Sequence, residues 1–79
     1  MLEKALNYIT KEYTEMKEWF ENPNVTLSDN MKRISVDRAI ARCLGVAMFV
    51  QDCGVTYEEL NPHFEETKLK LMKLLEREE

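Results

Sequence analysis

Between Ala39 and Val50 the chain reads Ala-Ile-Ala-Arg-Cys-Leu-Gly-Val-Ala-Met-Phe-Val, ten apolar residues of twelve with Arg42 the single charge. A helix with one face on a core shows apolar residues at i, i+3, i+4 and i+7 and polar residues opposite. This run has three apolar faces: Ile40, Cys43, Ala47 and Val50 on one, Leu44 and Met48 on a second, Val46 and Phe49 on a third. A helix apolar all round needs walls on nearly every side. At about 12 residues, against the ~20 that a bilayer requires, it is too short to span a membrane. It reads as a buried helix of a small helical domain.

Seventy-nine residues allow a single domain. A chain this short buries roughly 60% of its unfolded surface, so a partner subunit would add stability that it needs. Two glycines and two prolines are too few for an all-β domain with a turn every eight to twelve residues. The formal net charge of −4 argues against a general nucleic-acid binder. The opening Met-Leu-Glu-Lys-Ala-Leu lacks the pattern of a signal peptide, which points to the cytoplasm and to reduced thiols. Cys43 and Cys53, if on one helix, stand about 15 Å apart along it, beyond disulfide reach, and read as two small buried hydrophobes.

Leu2, Leu6, Ile9, Tyr13, Met16 and Phe20 follow alternating spacings of four and three, the stripe of a helix that packs along its whole length. Tyr8 and Trp19 broaden it. Asn22-Pro23 ends the helix, because the residue before proline leaves helical angles and proline cannot continue the hydrogen-bond ladder. Ser28, or less readily Thr26, caps a second helical region from Asp29 to Cys53, with Asp29 at the positive end of its dipole. That region is one helix, or a short one to Ile34 and a longer one capped by Ser35. Gly45 within it is read as a point of close approach by another helix.

Gly54 suits the left-handed position just past a helix end, with Val55 as the apolar contact that follows. Thr56-Tyr57-Glu58-Glu59 is a capping box. The third helix carries Tyr57, Leu60, Phe64, Thr67, Leu71 and Leu74, widened by Leu69, Met72 and Leu75. Pro62 kinks it or, on the preferred reading, divides it, with Asn61 capping a new helix. Glu76 to Glu79 reads as a solvated tail.

The expected architecture is an all-α antiparallel bundle of three helices, at about 2–20, 29–53 and 57–77 of one domain over 1–79. There are four if a helix divides near Ser35 or Pro62, and dimerisation completes the bundle.

No constellation for chemistry stands out. His63, the single histidine, would share a face with Glu59 and Glu66, but Pro62 disturbs that geometry. The His-x-x-Glu order is also the reverse of the Glu-x-x-His found in di-metal bundles. Nucleophilic catalysis needs a base beside the nucleophile, and no glycine-rich phosphate loop is present. Arg38, Arg42 and Glu58 could line a site between subunits, the one opening for an enzyme. The reading is therefore a small soluble interaction or regulatory module, homodimeric, with no catalysis, no cofactor, no metal and no membrane.

Its interface would comprise Leu44, Val46, Met48 and Phe49 with Arg42. Arg42 is expected to snorkel to solvent, or else to pair with an acidic residue across the interface. Two alternatives stand beside this reading. One is a nucleic-acid-associated regulator using a basic strip of Lys32, Arg33, Arg38 and Arg42, disfavoured by the interleaved Asp29 and Asp37. The other is an accessory subunit of a different protein.

Overall fold

The computed structural model describes residues 2–78, with side chains through Glu76. It has three α-helices, α1 (Leu2–Glu21), α2 (Asp29–Asp52) and α3 (Tyr57–Leu74), closed by a 3-10 turn over Leu75–Glu78. The expected tail at Glu76–Glu79 thus begins in that turn, while the side chains of Arg77 and Glu78 and the whole of Glu79 lie outside the described residues.

The punctuation is local chemistry. The Ser28 hydroxyl accepts the Met31 N–H at 3.2 Å and satisfies one of the orphan donors that open α2. At its other end Gly54 takes a φ of 109°, which favours glycine. The Gly54 N–H donates to the Gln51 carbonyl at 3.1 Å and the Val55 N–H to that of Val50 at 3.0 Å, the paired bonds of a Schellman motif. Two residues on, the Glu59 carboxylate accepts from the Thr56 N–H at 3.1 Å and from the Thr56 hydroxyl at 2.9 Å. The capping box expected at Thr56 and Glu59 is thus formed, and the Glu59 N–H also bonds to the Thr56 carbonyl at 3.2 Å.

α2 runs unbroken through Ser35, and α3 runs unbroken through Pro62, so neither expected division occurs. Pro62 removes one backbone bond near the start of α3. Leu60 and Phe64, buried at 0% and 7% exposure on either side of it, hold both halves of the helix in one register.

Short turns make α2 antiparallel to α1 and to α3, while α1 and α3 run in the same direction. The resulting bundle is long and thin, 41 × 17 × 15 Å. Its core is two clusters in series. Ala5, Ile9, Cys43, Ala47, Val50, Leu60 and Phe64 fill one end; Met16, Val36, Ala39, Leu71 and Leu74 fill the other, and Ile40 touches both. The seam between α1 and α3 is closed by polar contacts, a Thr10 Oγ1 to His63 Nε2 hydrogen bond of 2.9 Å and Lys70 Nζ 5.7 Å from the Tyr13 ring centroid. His63 is thereby half-buried in a helix seam. No buried side-chain nitrogen or oxygen among the described residues lacks a hydrogen-bond partner.

Several expectations are corrected by this packing. Cys53 is exposed at the end of α2 while Cys43 is buried. Tyr57, Leu69 and Met72 are exposed, because α3 buries only the narrow stripe from Leu60 to Leu74. Gly45 meets no helix of its own chain, since a Cβ built there would find nothing within 4 Å. It sits on the side of α2 that neither α1 nor α3 covers.

The two glycines should therefore respond oppositely to alanine. Gly54→Ala should cost roughly 1 kcal/mol or more, because its positive φ strains any side chain. Gly45→Ala, measured at low protein concentration, should gain up to about 1 kcal/mol, the helix-propensity difference alone. Urea unfolding checks both, and a loss at Gly45 in dilute protein would contradict this packing.

Candidate interaction surface

α2 presents its inner face to both neighbours through Val36, Ala39, Cys43, Ala47 and Val50. The opposite face carries Ala41, Leu44, Gly45, Met48 and Phe49, all exposed. Leu44, Met48 and Phe49 retain 46%, 59% and 61% of their accessible surface, unusual for large apolar side chains one turn apart. Ile34, at 37%, extends the same face two turns toward the N-terminus.

Of the residues expected at an interface, Leu44, Met48 and Phe49 are brought together here. Val46 is not, because it turns inward against the Ile9–Leu60 cluster. The boundary of the buried stripe passes between Val46 and Phe49, which the sequence placed on one face. Ala41 and Gly45 belong to the surface although they were not counted in it. Their signal was their spacing of four residues on the side opposite Cys43 and Ala47.

Arg42 stands at the edge of this face and is held within its own chain. Its Nε donates to Glu12 Oε2 at 3.0 Å and its Nη2 to Glu12 Oε1 at 2.8 Å, a fork-to-fork pair between α2 and α1. The Glu12 side chain keeps 13% of its surface and that of Arg42 48%. The guanidinium bonds hold the Glu12 carboxyl below its ordinary pKa, against a smaller opposing effect of burial. The same bonds raise Arg42. Arg42 thus has an acidic partner, but it lies in the same chain and not across a subunit boundary.

Beside this pair a groove of about 340 Å³ runs between α1 and α2, lined by Glu12, Glu15, Met16, Trp19, Ser35, Arg38 and Arg42. Two carboxylates and two guanidiniums leave its lining without net charge. A smaller cavity of about 160 Å³ is lined by Asp29, Lys32, Arg33 and Leu75. The four basic residues Lys32, Arg33, Arg38 and Arg42 do not gather into a strip. Arg33 and Arg38, five residues apart, stand roughly 140° apart around the helix at about 100° per residue. Glu58, at the start of α3, does not join Arg38 and Arg42 at the groove.

Among the described residues no group of three His, Cys, Asp or Glu side chains is placed to hold a metal ion. Among the same residues no helix is long and apolar enough to cross a membrane. Burial pushes the Cys43 thiol up to about 11, so it stays protonated and unreactive at neutral pH. No protein-family model, curated protein or solved structure matches the chain.

Two outcomes follow from these environments. An alkylating reagent at neutral pH should label the native protein once, at exposed Cys53, and twice only after unfolding; rapid double labelling of native protein, read by mass spectrometry, would contradict the burial of Cys43. Because the Glu12 pKa is lowered in the folded state, its pairing stabilises above the ordinary glutamate value of about 4.3 and is lost as pH falls through the lowered value. Glu12→Gln should therefore lose less stability than wild type between about pH 6 and pH 3 in urea titrations, and an unchanged slope would contradict the assignment.

Proposed function

We propose that this protein is a small helical interaction module that self-associates through the outer face of α2, with no catalytic role of its own. The observation that carries this reading is the contiguity of Leu44, Met48 and Phe49, exposed on one helix face around Gly45. Water left against large apolar side chains raises the free energy of the monomer, and burial returns about 25 cal/mol per Å² before the costs of association. A second copy of the chain is the simplest cover, because closed two-fold dimers are the commonest oligomers. Completion of the α2 environment by a partner is also what a marginal three-helix core of this length favours.

The cytoplasm is the proposed setting, which suits a chain whose two cysteines are both free thiols. The nucleic-acid alternative has less support: Arg42 is neutralised by Glu12, and Arg33 and Arg38 point away from each other.

Phe49→Glu tests the reading. Phe49 contributes little to the monomer core at 61% exposure, so the variant should keep the wild-type helical circular dichroism. It should also sediment as a monomer, because a carboxylate buried in an apolar interface is heavily penalised. A folded Phe49→Glu protein with the same mass as a dimeric wild type would exclude this face from the interface.

A further inference from the structure

Resting on the self-association reading, we infer that two copies pack α2 on α2 antiparallel about a two-fold axis at Gly45, with Arg38 of each copy opposite Asp52 of the partner subunit. Three features of the exposed face lead there.

The first is the glycine. In a helix interior it costs roughly 1 kcal/mol relative to alanine, and nothing in its own chain makes use of the missing side chain. Its use is to let a second backbone approach from outside, with Ala41 one turn away widening the gap.

The second is charge. Arg38 and Asp52 are both exposed on this face. Each lies seven residues from Gly45, two turns or about 10 Å along the axis in opposite directions. Among the described residues neither takes part in an ion pair within the chain. A parallel arrangement would set arginine against arginine and aspartate against aspartate. An antiparallel one centred on Gly45 sets each arginine over an aspartate, twice by symmetry. Moving the axis half a residue, to between Leu44 and Gly45, sets Asp37 against Asp52 of the partner subunit, so charge selects the register as well as the direction.

The third is shape. In that register Phe49 of the partner subunit falls over the gap bounded by Arg38, Ala41, Arg42 and Gly45, four residues at the spacing of a knob-into-hole packing site. The gap is shallow because two of the four are small. Arg42 is fixed at its edge by Glu12, which keeps the guanidinium from swinging across it.

A charge swap read by analytical ultracentrifugation tests the arrangement. Arg38→Asp and Asp52→Arg should each weaken the dimer about tenfold or more, since each replaces two attractions by two repulsions. The double variant Arg38→Asp/Asp52→Arg should recover to within about threefold of wild type. Both positions are exposed, so circular dichroism should be unchanged. A dimeric wild type whose double variant is weaker than either single one would overturn the register and leave self-association standing. A wild type monomeric at all concentrations would overturn both. In a Cys53→Ser background, Gly45→Cys should cross-link two copies on mild oxidation, because a residue on the axis meets itself; a dimer that fails to cross-link there would also overturn the axis.

Discussion

A helix in a three-helix bundle has two neighbours, and so one face without a wall. For α1 and α3 this is more easily accommodated, since their outer sides are mainly charged, with Leu69 and Met72 the large apolar exceptions on α3. α2 cannot be accommodated in the same way, because its second half is apolar all round. The bundle resolves the conflict by giving Val36, Ala39, Cys43, Ala47 and Val50 to the core, and by leaving Leu44, Met48 and Phe49 on the surface. The inner residues of this set are mostly small, which lets α1 and α3 come close. The large ones are outside. A sequence selected only for the folded monomer has no reason to place its bulk that way.

The Glu12–Arg42 pair fixes how this face is framed. It bridges α1 and α2 with two short charge-assisted bonds beside the core and stands the arginine stem along the edge of the apolar surface. With Arg42 already satisfied, the charges left for a partner on this face are Asp37, Arg38 and Asp52. Their positions relative to Gly45 turn an undirected apolar patch into one with a direction and a register. The groove between α1 and α2 adjoins this face and shares Arg38 with it, with its carboxylates, Glu12 and Glu15, on α1 and its guanidiniums, Arg38 and Arg42, on α2.

The caps and turns were legible from the chain because they are local chemistry. Ser28, Gly54, Val55 and Thr56-x-x-Glu59 act within four or five residues of themselves, and each does what its type and spacing imply. The stripe of α1 was legible for a related reason, as its period persists over the whole helix. What could not be read was where a broad apolar surface divides into inside and outside. Val46 and Phe49 are three residues apart and equally apolar, and only the positions of α1 and α3 send one inward and the other outward. Continuity of α3 through Pro62 was likewise settled by tertiary burial at Leu60 and Phe64, which outweighs a single lost backbone bond. The assignment of Gly45 to a close approach named a real requirement for space but found no occupant for it within the chain.

The most direct measurement is absolute mass by light scattering, from near-millimolar to low-micromolar concentrations of the full chain. If the outer face of α2 is an interface, the mass should stand near twice the 9.4 kDa of one chain at the upper end and fall toward it only on dilution. A mass of 9.4 kDa throughout would contradict the account and leave the apolar face to a different protein.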